Sequence, residues 1–179
     1  MKTVFLLFDS LNRLMLQPYG GDLVHTPNFE RLAKKSITYN KHYVGSMPCM
    51  PARRDMQSGR HSFLHRSWGP IEPFDNSFLE IFKQNKIYSH LISDHYHYWE
   101  DGGSTYHTRY NSFDFIRGQE SDPWKALLTS PIERIQKKYH PSQNDINSKQ
   151  NPYNYMINRE FIKKEKDFPS VQCFKKGFE

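Results

Sequence analysis

The feature that most constrains the fold is a continuous apolar run near the start of the chain, Val4 to Phe8, which ends abruptly at Asp9. Such a run predicts a strand that is buried on both faces, as in the centre of a parallel sheet. The run also has the character of a secretion signal, but it stops after five apolar residues and no small-residue cleavage site follows it. We therefore expect a core strand here.

Strand and helix patterns alternate along the chain after this run. Thr26 and Pro27 predict the start of a helix that continues to Ser36, and Asn76 predicts the cap of a helix that ends near Asn85. Other strands are predicted at 37–44 and 87–93, a strand and turn at 113–120, and other helices at 123–128, 132–139, 153–166 and from 170 onward. This alternation predicts an α/β fold with a mostly parallel central sheet flanked by helices.

One stretch, residues 49–60, brings a reactive side chain into a helix; its sequence is Cys-Met-Pro-Ala-Arg-Arg-Asp-Met-Gln-Ser-Gly-Arg. Proline is tolerated in the first turn of a helix, so Cys49 is expected at a helix N-terminus. The peptide amides there, together with Arg53 and Arg60, attract a tetrahedral anion. The alternative for Cys49 is a small buried apolar side chain or a spare thiol.

This stretch resembles the sulfatase signature, Cys-x-Pro-Ser/Ala-Arg-x4-Ser/Thr-Gly-Arg, and it fills every signature position. The resemblance implies that a formylglycine-generating enzyme oxidises Cys49 to formylglycine, whose hydrated aldehyde is the nucleophile. It further implies a catalytic role for Arg53 and a substrate contact for Arg60. Met50 departs from the pattern, because the family usually has a smaller residue there.

A second resemblance lies in Asp9-Ser10-Leu11-Asn12-Arg13 followed by Tyr19-Gly20, which is similar to the first motif of the same family. By that resemblance Asp9 and residue 49 bind a divalent cation, usually calcium, which prefers oxygen ligands. Ser10 stands where many members have a second aspartate, so it is a further candidate ligand. The alternative for Asp9 is a cap or turn residue after a strand.

Histidines and carboxylates crowd the segment that follows the predicted strand at 87–93. Most sulfatases have Gly-Lys-x-His at this position, and the resemblance aligns His95 with the lysine and His97 with the histidine. It implies that His95 contacts the sulfate and that His97 protonates the leaving oxygen. Two alternatives remain, a zinc site based on the His-x-His spacing, with no cysteine nearby in sequence, and ordinary structural histidines. Arg117 is a candidate substrate contact, with a salt bridge as its alternative.

Charge and cysteine content bound the function only loosely. The 179 residues carry a formal net charge of +6, which suits an anionic substrate and nucleic acid alike. The two cysteines provide no disulfide framework, and no stretch approaches membrane-spanning length. We expect a cytoplasmic chain that acts on a small-molecule or carbohydrate sulfate ester, with neither nucleic acid nor membrane as partner.

The predicted organisation is one catalytic domain. Residues 1–120 form its N-terminal part, and residues 121–179 form a helical, lysine-rich extension of it. The resemblance implies later metal ligands that residues 122–179 do not supply, so we expect a piece of a longer sulfatase. Two other functions remain open, a phosphodiester or phosphonate hydrolase of the same fold and a non-catalytic truncated relative.

Overall fold

The computed structural model describes residues 2–100, 105–119, 121–129, 133–134, 137 and 152–179, with side chains from residue 157 onward in the last range. Within these residues the strands are β1 (His90–Ser93) and β2 (Ser112–Phe115). The helices are α1 (Pro27–Ala33), α2 (Cys49–Ser58), α3 (Phe78–Gln84), α4 (Pro152–Phe161) and α5 (Pro169–Phe178). Single turns of 3-10 helix lie at Arg13–Met15, Gln17–Tyr19, Ser62–Leu64, Tyr96–Tyr98, Tyr106–Arg109 and Glu165–Asp167.

The two strands pair in parallel, as the sequence predicted. His90 lies opposite Ser112 and Ser93 opposite Phe115, so both strands end at the same edge of the sheet. Helix α5 packs on β1, and its Gly177 leaves room beside the side chain of Ile92. The α/β class with a parallel sheet flanked by helices is therefore confirmed. Because β1 ends at Ser93, the histidine segment begins at the carboxyl edge, where α/β sheets bind ligands.

The predicted core strand at 4–8 is wrong for the described structure. These residues form no strand, and Val4 and Phe5 expose 81% and 74% of their surface. Only the end of the run finds aromatic neighbours, with the Phe8 ring 5.7 Å from that of Phe29 and 5.9 Å from that of Phe174. A strand needs a neighbour that pairs with its backbone groups, and no described segment provides one beside this run.

Two other predicted elements are also absent. Residues 37–44 form no strand, and Ile37 and Tyr43 are largely exposed. Residues 123–128 form no helix, because the chain turns there around Asp122, whose carboxylate accepts hydrogen bonds from Arg117 and from the Gly118 amide. The helix predicted at 132–139 lies outside the described residues, apart from positions 133, 134 and 137.

Most of the predicted helices are present, although two of their caps differ. Thr26 precedes α1, but its hydroxyl accepts from the Gln17 amide instead of capping the helix. Helix α3 is capped by Ser77, whose hydroxyl accepts from the Leu79 amide, and not by Asn76. Helix α4 covers most of the stretch predicted at 153–166, and α5 matches the helix predicted from residue 170.

Helix α2 is the element that organises the described core. Its residues Met50, Arg54 and Gln57 follow helical spacing and are all buried. Met50 is fully buried and packs in one cluster with Ile71, Tyr98 and Tyr106. Burial of a methionine side chain contributes about 1.5–3 kcal/mol, so this cluster fixes α2 against the segment that follows β1.

A buried ion pair anchors the same face of α2. Arg54 donates from Nε and Nη2 to the two carboxylate oxygens of Asp75, at 2.8 and 2.9 Å, and both side chains are over nine-tenths buried. Burial alone raises the pKa of Asp75, but the Arg54 hydrogen bonds, the Glu72 amide and the Arg54 charge lower it below its ordinary value. The pair therefore stays charged and ties α2 to the segment before α3.

Candidate functional site

The site is built on the N-terminus of α2, which begins at Cys49. Cys49 and Arg53 are four residues apart, so they share one face of the helix, while Met50 and Arg54 face the core. Pro51 is the third helical residue, where its missing N–H costs no intrahelical bond. The free amides and the helix dipole at this end favour an anion. The sequence therefore places a thiol and a guanidinium side by side where an anion is attracted.

The other end of the signature forms the end of the helix. Gly59 has a left-handed backbone with φ of 69°, and its amide donates to the Asp55 carbonyl oxygen at 2.8 Å. The Ser58 hydroxyl donates to the Arg54 carbonyl and accepts from the Arg60 amide. Arg60 is exposed and lies beyond the C-terminal end of α2, a ten-residue helix whose axis is about 15 Å long. The structure thus does not bring the Arg60 backbone to the cysteine.

Asp9 lies against the same face of α2. Its Oδ2 atom is 3.0 Å from Nη2 of Arg53 and 3.7 Å from Nδ1 of His95. The ligand atoms of Asp9, Cys49 and His95 all lie within 4.8 Å of one another. The structure therefore brings together one thiol, one carboxylate and one imidazole from three separate segments of the chain.

The charges at this cluster are set by mutual contacts. Burial raises the pKa of Asp9, but the hydrogen bond and charge of Arg53, with smaller effects of His95 and Ser10, lower it below its usual value. Burial lowers the pKa of Arg53, yet Tyr98 and Asp9 raise it overall. Burial raises the pKa of Tyr98, whose hydroxyl oxygen accepts from Arg53 Nη1 at 3.0 Å. At neutral pH the cluster contains a carboxylate, a guanidinium and a neutral phenol.

The two histidines lie next to each other beyond β1. His95 is only 3% exposed, its amide donates to the Ser93 hydroxyl, and its Nε2 lies 3.3 Å from the Met50 sulfur. The ring of His97 is 5.1 Å from the ring of His95, and its Nδ1 is 2.8 Å from the Glu100 carboxylate. His97 is half-buried, so it borders the cluster without being sealed in the core.

The remaining candidate residues have other local partners. The Ser10 hydroxyl donates to Asp9 Oδ1 at 3.1 Å, and Ser10 itself has a left-handed backbone with φ of 56°. Ser10 therefore lies directly beside Asp9. Arg117 donates from Nε and Nη2 to the buried Asp122 carboxylate, at 2.7–3.0 Å. The salt bridge that the sequence offered as the alternative for Arg117 is present.

Three contacts at the site were missed by the sequence interpretation. The Tyr98 hydroxyl accepts from Arg53, a contact between residues 45 positions apart that no local pattern indicates. Glu100 follows His97 by three residues, and the structure places its carboxylate 2.8 Å from His97 Nδ1. The contact between Met50 and His95 had no local signal, because it depends on how α2 packs against the segment after β1.

Comparison with known proteins gives a family match over most of the chain. The family model described as Sulfatase matches residues 2–167. No solved structure gives a significant match. Among the described residues, no helix combines the length and apolar character needed to span a bilayer.

Three curated relatives align with shorter parts of the chain. A multifunctional alkaline phosphatase superfamily protein, PehA of Trinickia caryophylli, is 29% identical over 75 residues, 42% of this chain and 15% of that protein. Human arylsulfatase D is 32% identical over 60 residues, 34% of this chain and 10% of the relative. Choline-sulfatase of Rhizobium meliloti (strain 1021) is 32% identical over 57 residues, 32% of this chain and 11% of the relative. The matches thus span only 10–15% of these relatives' own length.

Proposed function

Because the chain belongs to the sulfatase family, we propose that it carries the nucleophile of an enzyme that hydrolyses sulfate monoesters. The observation that supports this most strongly is the grouping of Cys49, Arg53 and Asp9 at the start of α2. This grouping places the nucleophile position next to the Arg53 guanidinium, which the Asp9 carboxylate holds in place. Two relatives that are named as sulfatases support a sulfate ester as substrate.

The nucleophile in this proposal is formylglycine made from Cys49 by a formylglycine-generating enzyme. The hydrated aldehyde supplies one hydroxyl to displace the alcohol from sulfur and a second whose deprotonation releases the sulfate. Cys49 is partly exposed at the helix N-terminus, next to the fully buried Met50, so the helix holds the nucleophile at a fixed position. The anion-attracting end of α2 then favours the sulfate group at that position.

Arg53 and Asp9 have complementary roles in the proposed reaction. The Arg53 guanidinium is fixed by Tyr98 and Asp9, so it offers preorganised positive charge to the sulfate oxygens. Asp9 keeps Arg53 in place and holds negative charge near the reacting hydroxyl groups. Neither side chain needs to reorganise when charge develops in the transition state.

The histidines supply proton transfer and a further contact to the sulfate. The Glu100 carboxylate occupies the Nδ1 side of His97, which leaves Nε2 as the atom that can give a proton to the departing alcohol. His95 lies beside Asp9, at the position where the family has a lysine, and a protonated imidazole there can contact a sulfate oxygen. Arg60 and Arg117 are weaker candidates, since one lies beyond the far end of α2 and the other pairs with Asp122.

The family resemblance also implies a divalent cation, with calcium expected. Among the described residues near position 49, Asp9 and Ser10 offer oxygen atoms, and the formylglycine hydrate would add another. Calcium takes six to eight oxygen ligands, so these residues do not by themselves fit calcium. Its other ligands would have to come from water or from residues outside the described ones.

The alcohol part of the ester is expected to contact aromatic side chains beside His97. The Trp68 ring meets His97 edge to face, with centroids 5.0 Å apart. An aromatic surface of this kind stacks on a sugar or on an aryl ring equally well. The substrate class is therefore a small-molecule or carbohydrate sulfate ester.

A second candidate function is hydrolysis of phosphodiesters or phosphonates at the same site. The match to PehA, a multifunctional alkaline phosphatase superfamily protein, favours this alternative. A tetrahedral phosphorus centre would use the same cation and nucleophile position. A third candidate, a non-catalytic relative, is favoured by the few oxygen ligands that the described residues near position 49 offer to calcium.

Mass spectrometry and kinetics of the chain, produced together with a formylglycine-generating enzyme, test these alternatives. The peptide containing residue 49 should show the mass of an aldehyde, and the converted protein should hydrolyse an aryl sulfate. The Cys49→Ala variant should be inactive, whereas Cys173→Ser should match the wild type. An unconverted thiol would refute the formylglycine mechanism. Faster hydrolysis of an aryl phosphonate would favour the second function, and converted protein that neither binds calcium nor turns over either substrate would favour the third.

A further inference from the structure

The cluster at the start of α2 has a ligand set that differs from an oxygen-rich calcium site. It contains the thiol of Cys49, the imidazole of His95 and the carboxylate of Asp9, with ligand atoms within 4.8 Å of one another. Cys49 is far from His95 and His97 in the sequence. The His-x-His pair therefore had no neighbouring cysteine that would complete a zinc site. The fold removes that objection, because it brings the sulfur beside His95.

We infer that the unconverted chain binds Zn²⁺ through Cys49, His95 and Asp9. This inference does not require sulfatase activity, since it concerns the thiol form of residue 49 and not formylglycine. Zinc is bound by cysteine sulfur, histidine nitrogen and carboxylate oxygen, and sites with three protein ligands keep a fourth position for water. Calcium prefers oxygen ligands alone, so a sulfur and a nitrogen in the set discriminate against it.

The geometry is close to what zinc requires. With zinc–ligand bonds of about 2.0–2.3 Å, the ligand atoms of a tetrahedral site lie about 3.3–3.8 Å apart. The cluster therefore needs to contract by about 1 Å at its widest separation, which small side-chain rotations can provide. His95 is already held by burial, by its amide bond to Ser93 and by the Met50 sulfur. The imidazole needs little further ordering when the metal binds.

The charges also suit a divalent cation. Binding releases the Cys49 proton to solvent, and the resulting thiolate adds its negative charge to the Asp9 carboxylate. Together these two anions neutralise Zn²⁺. Arg53 opposes any cation at this place, but its guanidinium is shared between Asp9 and Tyr98. With only one anionic ligand, the attraction to the metal ion would offset less of the repulsion from the Arg53 guanidinium.

Cys173 provides an internal control. It is the other cysteine of the chain, it is half-buried near Asp94, and it lies in α5. Burial, together with the charge of Asp94, raises the pKa of Cys173 to about 12. Its thiol therefore stays protonated near neutral pH, where a metal ligand must be a thiolate. Binding by thiolate should depend on Cys49 alone.

Cobalt substitution tests the inference directly. The 179-residue chain is produced in a host without a formylglycine-generating enzyme, its free thiol at residue 49 is verified by mass spectrometry, and bound metal is removed with a chelator. Titration with Co²⁺ should give one bound ion, a thiolate-to-cobalt charge-transfer band and the visible bands of a tetrahedral site. Added Zn²⁺ should displace the cobalt and abolish these bands, and excess Ca²⁺ should not.

The variants assign the ligands. Cys49→Ser should abolish the charge-transfer band, while Cys173→Ser should retain it. His95→Gln and Asp9→Asn should each weaken Zn²⁺ binding by at least the roughly 10–100-fold that loss of an outer-shell partner costs. Circular dichroism of every variant checks the fold, so a loss of binding counts only where the spectrum matches the wild type. A band that survives in Cys49→Ser, or wild-type protein that binds no Co²⁺, overturns the inference. Neither result bears on whether the converted chain hydrolyses sulfate esters.

Discussion

Nη2 of Arg53 donates to Oδ2 of Asp9 across 3.0 Å, a contact between residues 44 positions apart in the sequence. Arg53 lies one helical turn after Cys49, so the contact sets Asp9 beside the proposed nucleophile. The guanidinium also donates to the Tyr98 hydroxyl, which anchors it to the buried aromatic cluster. Arg53 and Asp9 are therefore held together at the start of α2, and in the proposed reaction Asp9 keeps the guanidinium in position.

The first prediction concerns the pH dependence of stability through this pair. The pKa of Asp9 in the folded protein is lowered, because Arg53 outweighs the opposite effect of burial. A lowered pKa adds stability above the ordinary value near 3.9, and this stability is lost as the pH falls through the folded-state value. Because the Asp9 side chain is 37% exposed, we expect a contribution of at most about 1 kcal/mol.

Urea unfolding between pH 7 and pH 3, with wild type and Arg53→Met, measures this effect. The variant should lose less stability on acidification than the wild type, since its Asp9 has lost the guanidinium that chiefly lowers its pKa. Arg31→Gln, at an exposed arginine of α1, is the matched control and should follow the wild type. Parallel pH profiles for wild type and Arg53→Met would show that the pair does not govern the titration of Asp9.

The second prediction concerns the buried pair of Arg54 and Asp75. Asp75→Ala leaves the Arg54 guanidinium buried without its carboxylate and should cost about 3–5 kcal/mol of the free energy of unfolding. Glu30→Ala removes the exposed pair with Lys34 on α1 and should cost at most about 0.5 kcal/mol. Urea denaturation of both variants checks the difference. Similar losses in the two variants would contradict a special role for burial.

The parts of the fold that the sequence predicted well carry local signals. Helix α2 follows from the proline in its first turn and from the glycine that ends it, and β1 and β2 fall on the strand patterns at 87–93 and 113–120. The runs at 4–8 and 37–44 have equally good strand patterns, yet they form none. A strand pattern indicates only that the side chains of a segment are compatible with a position in a sheet. Whether the segment pairs depends on a neighbour elsewhere in the chain, and the pattern does not contain that information.

The same distinction holds at the candidate site. The nearness of Asp9 and Cys49 was expected from motif order and from the end of a strand, and the structure places them together even though the strand is absent. The substrate contact expected for Arg60 stays a prediction, since a helix of ten residues separates its backbone from Cys49 and spacing alone does not say where its guanidinium lies. The contact of Met50 with His95 depends on tertiary packing and was outside the reach of spacing arguments.

The third prediction tests the role of Gly59 as the end of α2. A Cβ atom added at this position would have no atom within 4 Å, so only the left-handed backbone opposes an alanine. Gly59→Ala should therefore cost about 1–2 kcal/mol, and Gly59→Asn should cost less, because asparagine tolerates this conformation. Gly177→Ala, inside α5, should be neutral or stabilise by up to about 1 kcal/mol. Thermal and urea unfolding give the comparison, and a neutral Gly59→Ala would contradict the assignment.

The last prediction concerns His97 as the proton donor to the leaving alcohol. A general acid matters most when the departing oxygen is strongly basic, so the effect of its removal should depend on the substrate. His97→Gln should reduce kcat/KM about 10²–10⁴-fold for an aryl sulfate with a poor leaving phenol, and far less for a nitrophenyl sulfate. Glu100→Gln should give a smaller loss in the same direction, because it leaves the imidazole in place but removes the carboxylate at Nδ1. His25→Gln, at an exposed position, should equal the wild type with both substrates. All four proteins must first be shown to carry formylglycine at residue 49, and an equal loss with both substrates would assign His97 to binding instead of proton transfer.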